Sequence, residues 1–230
     1  MKQNVVVIHQ PDFLPYMGFF HRLLKADTFI ILNHVQMSKR GWVHRDKIKT
    51  PSGEEWISLP IKKLAKGPII SEAEIDYENA YDKIARMIQA NYQKAAFFSE
   101  IFPTLSDILA VRPPKLYDLN LLLLKQLFTW FDIQIPTFFS HELGVTSTKS
   151  LMNAELTKKV GGTTYLSGVG AKDYHNDAPF AELGVSVEWQ EFNHPEYTQL
   201  HDSFIPYLSS IDLLLNCGIK HSREILRSTL

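Results

Sequence analysis

VVVIHQPDFLPYMGFFHRLLKADTFIILN, residues 5–33, is the stretch that decides the fold. Residues 5–9 favour a β-strand and are apolar up to His9, residues 16–26 carry a helical pattern, and residues 28–33 are a second apolar run. Continuous apolar runs are typical of strands in a sheet that is covered on both faces. Because two parallel strands joined by a helix connect in the right-handed sense by default, the stretch predicts a βαβ unit.

The remaining segments extend this unit to an α/β fold: a mainly parallel sheet with covering helices, an added β-hairpin and a helical insert. Two alternating stretches flank the turn sequence PSGE and predict the hairpin over 42–61. The helical insert spans about 78–132. No shift in composition marks a boundary, so the sequence predicts one domain, 1–230. The other predicted elements are helices at 79–96, 97–109 and 116–131, a strand at 137–140, a helix at 151–160, a strand at 163–168, a helix at 176–183, a strand at 185–192, and helices at 203–215 and 219–226.

Composition excludes several classes of protein. The chain has 230 residues, of which 45% are hydrophobic and 21% charged, with a formal net charge of -1. That balance produces no global field to attract nucleic acid or an anionic membrane. Cys217 is the single cysteine, so no internal disulfide forms, and its apolar surroundings predict a buried, inert thiol. The sequence lacks a signal-peptide layout and an apolar run of about 20 residues. We expect a cytoplasmic protein with no nucleic-acid partner and no membrane insertion, and homodimerisation stays open.

The first candidate site follows the first predicted strand. His9 and Gln10 stand at its carboxyl end, where ligands usually bind in open α/β sheets. Pro11 and Pro15 bracket the loop and lower the entropy cost of presenting these side chains. The alternative is a structural histidine that caps a neighbouring helix.

A second candidate is the basic hairpin. In an extended strand, Arg45, Lys47 and Lys49 share one face, opposite Asp46. A phosphate suits Arg45, whose guanidinium binds oxyanions through two hydrogen bonds. For the lysines, the preferred interpretation is a solvated edge strand that deters aggregation.

Two further segments follow predicted strands. Ser167, Gly168 and Gly170 belong to an SGVG turn that can offer a hydroxyl and backbone N–H groups to an oxyanion, although it matches no P-loop. His194 and Gln199 lie in FNHPEYTQLHDSF, where rings and amides suit a sugar or a base. The histidines show no metal-ligand spacing, so we expect no metal and no cofactor.

The chain resembles the WbqC-like family of bacterial proteins. The resemblance rests on HQPDFLPYMGFF, ADTFIILNHVQMSKRGWVHRDKIK, WISLPI, NYQKAAFF, TTYLSGVGAKDY and FNHPEYTQLHDSFIPYLSSIDLLLNCG, which occur in this order along almost the whole chain. It implies a cytoplasmic protein associated with surface-polysaccharide biosynthesis, including lipopolysaccharide O-antigen. Asn33 departs from the family pattern, which often has Asp there, and His44 stands where Asn is usual. The residues that match the family motifs are His9, Gln10, Pro11, Gln36, Arg45 and Lys47.

Two functions stay open. The first is a transferase that acts on a nucleotide-activated sugar, by acyl or aminoacyl transfer to an amino sugar or by glycosyl transfer. His9 is then the general acid or base, a role that contributes about 10²–10⁴-fold to a rate. The second is an accessory protein that binds the precursor without chemistry. In the transferase, phosphates are assigned to Arg45 and Lys47, and hydroxyl groups to Gln10, Gln36 and Gln199. Both functions require loops distant in sequence to meet in one pocket.

Overall fold

The computed structural model describes residues 3–38, 41–63, 67–76, 80–201 and 203–230. It is an α/β fold in which a five-stranded parallel sheet is flanked by helices and a separate antiparallel hairpin stands beside it. The strands are β1 (Val5–His9), β2 (Thr28–Ile31), β3 (Arg45–Thr50), β4 (Gly53–Ser58), β5 (Thr137–Phe139), β6 (Thr164–Ser167) and β7 (Ser186–Trp189). The helices are α1 (Met17–Leu24), α2 (Ala80–Tyr92), α3 (Phe98–Ala110), α4 (Leu116–Phe131), α5 (Lys149–Lys159), α6 (Ala178–Glu182) and α7 (Ser210–Arg227). In these ranges, no helix has the length and apolar character needed to cross a membrane.

The strand order places β1 at the centre of the parallel sheet. The order is β5-β2-β1-β6-β7, and every neighbouring pair is parallel. The chain therefore runs outward from β1 through β2 to β5, and then returns to the other side of β1 as β6. Between β1 and β6 the connections diverge in opposite directions, which makes this gap the topological switch point of the sheet.

Alternating residues of the central strands face two different apolar layers. Val7, Phe29 and Leu166 pack into the larger core with α1, α4 and α7. Val6 and Ile30 face the smaller core with α5 and α6. Because both faces of these strands are buried, the uninterrupted apolar runs of the sequence are explained, and the predicted α/β architecture is confirmed.

The hairpin is confirmed, but its charged face differs from the prediction. β3 and β4 pair with Lys47 opposite Trp56, and the side chains of Asp46 and Ile48 are buried. Lys49 is also buried, and its Nζ donates a hydrogen bond to the Ser203 carbonyl at 2.6 Å. The solvated-edge interpretation is therefore wrong for Lys49, because the irregular segment before α7 covers this end of the hairpin.

The last helix begins later than the sequence predicts. Residues 192–201 and 203–208 form neither helix nor strand, and α7 starts at Ser210, with Ser209 as its N-cap. Pro206 has no N–H to donate within a helix, and the Ser209 N–H donates instead to the Lys47 carbonyl at 2.8 Å. The predicted break between two terminal helices corresponds to a kink at Gly218, whose φ is 72° and whose Cα lies against the Phe97 ring.

Candidate functional site

Two of the predicted segments meet at the switch point, around an arginine that sequence reasoning missed. His9 ends β1, Ser167 ends β6, and Gly168 follows directly. A Cβ at Gly168 would lie 3.0 Å from Nη1 of Arg22, so the turn after β6 approaches this guanidinium closely. We name His9, Asp12, Tyr16, Arg22 and Gly168 the switch-point site.

Arg22 is the unusual member of the site. It lies on α1 and is only 6% exposed, and its buried Nε has no hydrogen-bond partner in the part of the chain that the structure describes. Within the described residues, no carboxylate lies within ion-pair distance of its guanidinium. Burial lowers the pKa of Arg22, opposed by Tyr16, Tyr165 and Asp12, but an arginine stays charged at neutral pH. Because a buried charge without a partner costs several kcal/mol, its persistence favours an anionic ligand as the partner.

The His9 ring is held in one tautomer. Its Nδ1 lies 2.9 Å from the Gln10 carbonyl oxygen and 3.5 Å from Oδ2 of Asp12. A carbonyl oxygen can only accept, so Nδ1 carries the proton and Nε2 keeps its lone pair. Burial, and secondly Arg22, lower the pKa of His9 to about 3. The 27% of the side chain that stays exposed moderates this effect, and the ring is neutral at pH 7 in either case.

Two buried carboxyl groups complete the charge pattern. Burial raises the pKa of Asp12 to about 7, against the opposing effect of Arg22. Asp46 of β3 is buried too, and it accepts a hydrogen bond from the Lys47 N–H at 2.6 Å. Burial, and the nearby Asp12, hold the pKa of Asp46 well above its usual range despite that bond. A neutral imidazole beside a carboxyl that holds a proton near pH 7 is a pair suited to acid–base chemistry.

Tyr16 shows that these groups share one region. Its hydroxyl interacts electrostatically with Arg22, Asp12 and Asp46, and its pKa is raised, with burial as the first cause. These residues come from α1, from the loop that follows β1, and from the hairpin. The hairpin therefore contributes Asp46 to this region, whereas the sequence pattern pointed to a ligand role for its cations.

The loop that carries Asp12 is fixed from several sides. Asn120 of α4 donates from Nδ2 to the carbonyls of Pro11 and Val43, both at 2.7 Å. The Phe13 N–H donates to the Trp42 carbonyl at 3.0 Å. Buried hydrogen bonds of this kind stabilise one geometry of the loop, so the site is organised before a ligand arrives.

Arg45 and Lys47, the predicted phosphate ligands, lie on the hairpin face opposite to Asp46. The Arg45 guanidinium stacks over Trp56, with Cζ 4.2 Å from the ring centroid. Lys47 forms an ion pair with Glu54 at 2.5 Å. These contacts place both cations against β4, on the face opposite to Asp46.

The SGVG turn is divided between the interior and the surface. Ser167 is buried and its Oγ lies 3.4 Å from the Tyr165 hydroxyl, whereas Gly170 has open space where a Cβ would stand. Gln10 contributes its backbone carbonyl to the His9 ring. Gly168, by its approach to Arg22, is the member of this turn that belongs to the switch-point site.

The other predicted binding residues make structural contacts. Gln36 donates from Nε2 to the Gly67 carbonyl at 3.3 Å. Gln199 uses both amide atoms on the backbone of Ile205, each at 2.9 Å. His194 lies 2.9 Å from the Pro195 carbonyl through Nδ1, and burial lowers its pKa.

A polar cavity of about 320 Å³ lies at the carboxyl ends of β2 and β5. Asn33 sits in it with its amide occupied: Oδ1 accepts from Ser140 Oγ at 3.0 Å and Nδ2 donates to the Tyr117 hydroxyl at 3.1 Å. The residues that line the cavity are Asn33, Ser71, Pro114, Lys115, Tyr117, Asp118 and His141. Among the described residues, no three His, Cys, Asp or Glu side chains cluster so as to hold a metal ion.

The fold and the site together define a parallel α/β protein with a candidate ligand site at the switch point of its sheet. The model of the WbqC-like protein family matches residues 10–224, and the chain belongs to this family. The chain is 33% identical over 220 residues to the uncharacterized protein Rv1507c of Mycobacterium tuberculosis (strain ATCC 25618 / H37Rv), a match that covers 93% of this chain and 94% of the relative. No solved structure matches the chain.

Proposed function

We propose that this protein is a transferase that acts on a nucleotide-activated sugar in the biosynthesis of bacterial surface polysaccharide. One observation carries the proposal: Arg22 is buried at the switch point of the sheet beside His9 and Asp12, and among the described residues no carboxylate lies within ion-pair distance of its guanidinium. A phosphate is the common anion that fits an arginine in such a site. The polysaccharide pathway comes from the resemblance of the sequence to the WbqC-like family.

The geometry supports a simple division of labour. Arg22 binds a phosphate of the donor, and His9 accepts a proton at Nε2 from the attacking amine or hydroxyl of the acceptor sugar. Asp12, protonated near neutral pH, gives its proton to the leaving group. The bond between the transferred group and the acceptor forms as the bond between that group and the leaving group breaks. The acceptor loses one proton to His9, and the leaving group takes the electron pair of the broken bond and the proton of Asp12.

A phosphate bound at Arg22 also makes His9 more basic. The guanidinium of Arg22 is the second cause of the lowered pKa of His9. An anion beside Arg22 neutralises that effect and raises the pKa of the imidazole towards the range in which a general base is efficient. Substrate binding thus prepares the base.

The second candidate function is an accessory protein that binds the same precursor without chemistry. The burial of His9 favours it, because burial, and secondly Arg22, lower the pKa of His9 to about 3 and make the imidazole a weak base in the free protein. In this case His9 and Arg22 determine affinity alone.

A titration and a product assay on the same samples separate the two functions. We expect the wild-type protein to bind a nucleotide sugar and to form product with an amino-sugar or sugar acceptor. His9→Ala should retain binding and lose at least about 100-fold in turnover. The control is His221→Ala, because His221 lies on α7 and contacts only Glu224 among the contacts that the structure describes. Binding without product in the wild-type protein supports the accessory function, and unchanged turnover in His9→Ala refutes the role of His9.

A further inference from the structure

The polar cavity at the carboxyl ends of β2 and β5 is built on a buried asparagine. Asn33 is 1% exposed, and its Nδ2 donates to the Tyr117 hydroxyl at 3.1 Å and to Nδ1 of His141 at 2.8 Å. Its Oδ1 accepts from Oγ of Ser140 at 3.0 Å, and this fully buried hydroxyl also lies 2.6 Å from Nδ1 of His34. A buried network whose members all have partners specifies one geometry. Asn33 therefore holds Tyr117 and His141 in fixed positions at the wall of the cavity.

This network leaves two hydrogen-bond donors at the wall. The Tyr117 oxygen accepts from Asn33, and in the described ranges its own proton is donated to no protein group. Nδ1 of His141 accepts from Nδ2 of Asn33 at 2.8 Å, a shorter contact than the 3.2 Å to Oδ1, so Nε2 carries the proton. Oε1 of Glu142 lies 4.0 Å from this Nε2, beyond hydrogen-bond distance. The Tyr117 O–H and the His141 Nε2–H can therefore both donate to a ligand.

Lys115 and Asp118 add opposite charges to the lining of the same cavity. Lys115 is the N-cap of α4 and Asp118 lies in its first turn, yet no ion pair joins them among the residues that the structure describes. Lys115 does act on the carboxylate of Glu74, but that carboxylate is already paired with Lys62 at 2.7 Å. Opposite charges three residues apart on a helix attract each other by only about 0.2–0.5 kcal/mol. Both charges can therefore serve a ligand.

The size and the charge pattern of the cavity indicate the class of ligand. Its volume of about 320 Å³ is at the low end of the range for ligand pockets, which suits a small molecule. Three donors, from Lys115, Tyr117 and His141, are complementary to a carboxylate. The carboxylate of Asp118 repels a doubly charged phosphate, whereas it attracts an ammonium group. A neutral sugar would meet neither charge with an opposite one.

We propose that this cavity is a second binding site and that it takes a free α-amino acid. The carboxylate of the ligand lies between Lys115, Tyr117 and His141, and its ammonium group pairs with Asp118. The inference goes beyond the proposed function, because this site shares no residue with the switch-point site and takes a zwitterion in place of a phosphate.

A thermal-shift screen of free amino acids at about 10 mM, followed by calorimetric titration of the tightest one, tests the inference. We expect at least one amino acid to raise the Tm. Its amide lacks the carboxylate and its N-acetyl derivative lacks the ammonium group, so each analogue should bind at least about 10-fold more weakly.

Variants of the two charged residues assign each end of the ligand. Lys115→Met and Asp118→Asn should fold normally, because both side chains are exposed, and each should raise the Kd for the amino acid by about 10-fold or more. Lys115→Met should bind the amide as the wild-type protein does, and Asp118→Asn should bind the N-acetyl derivative no more weakly. Lys125→Met and Asp107→Asn are the matched controls, since both residues are exposed and neither lines this cavity.

Four results would overturn the inference. In the first, no amino acid binds at about 10 mM. In the second, the amide and the N-acetyl derivative bind as tightly as the amino acid itself. In the third, the two variants retain the wild-type affinity, which would place the ligand elsewhere. In the fourth, glucose or inorganic phosphate binds more tightly than any amino acid and loses affinity in Lys115→Met, which would assign the cavity to a sugar or to an anion.

Discussion

Replacing Arg22 by methionine tests two properties of this side chain separately: its effect on the free energy of unfolding and its contribution to ligand affinity. Methionine has an unbranched side chain of comparable reach and no charge, so it fills the space beside Gly168 without a burial penalty. Replacing buried ionic side chains by apolar ones of similar volume often stabilises a protein by about 1–4 kcal/mol. Arg22 lacks a carboxylate within ion-pair distance among the described residues, so we expect a gain in this range.

The assay is thermal unfolding with and without pyrophosphate. In a domain of this size, each kcal/mol corresponds to about 2–4 °C in Tm. Arg22→Met should therefore melt several degrees above the wild-type protein when no ligand is present. Pyrophosphate should raise the Tm of the wild-type protein and leave that of Arg22→Met unchanged. Each hydrogen bond lost to a charged group lowers affinity by about 10- to 150-fold.

Arg223→Met is the matched control. The Arg223 guanidinium donates to the Trp130 carbonyl at 2.6 Å and to the Thr129 carbonyl at 3.0 Å. Removing it takes a partner from both carbonyls, so this variant should melt below the wild-type protein and still respond to pyrophosphate. The reasoning is refuted if Arg22→Met is destabilised like the control and keeps its response to pyrophosphate.

Three further predictions concern the groups around Arg22. The pKa of Asp12 is raised to about 7 from 3.8, so the contribution of Asp12 to the free energy of unfolding falls as pH rises through that interval. The pKa of His9 is lowered to about 3 from 6.5, so the contribution of His9 rises with pH over its own interval. Urea unfolding at about pH 5 and pH 6.5 should therefore show a steeper gain of stability with pH in Asp12→Asn and a smaller gain, or a loss, in His9→Gln; equal slopes in all three proteins would contradict both shifts. In NMR titrations, saturating pyrophosphate should raise the pKa of His9, and a pKa of His9 unaffected by the anion would contradict the coupling to Arg22. Asn120→Ala deprives two buried carbonyls of their donor and should lower the free energy of unfolding by about 2–4 kcal/mol, while a loss below about 0.5 kcal/mol would show that water replaces the amide.

The sequence predicted the central architecture because burial on both faces leaves a readable pattern. The apolar runs of β1 and β2 have no polar alternation, and this property alone indicated a covered parallel sheet. The start of α7 was not readable in the same way. It depends on the hydrogen bond from Ser209 to the Lys47 carbonyl, a contact between segments far apart in sequence.

The candidate site was predicted in part. His9 and Gly168 were found because they follow strands, and position at a strand end is a property of the sequence pattern. Arg22 was missed because a basic residue in a short amphipathic helix is normally solvated, and only the packing of β6 against β1 reveals its burial. Asp46 was missed for a related reason. The sequence showed that Asp46 and Arg45 lie on different faces of the same strand, but not which of the two faces is buried.

The central claim is that the switch point of the sheet binds the phosphates of a nucleotide through Arg22. A crystal structure of the protein with a bound nucleoside diphosphate tests it most directly. We predict phosphate oxygens within hydrogen-bond distance of the Arg22 guanidinium, between the ends of β1 and β6. Phosphates seated in the cavity beside Asn33 and His141, with Arg22 still lacking an anionic partner, would contradict the claim.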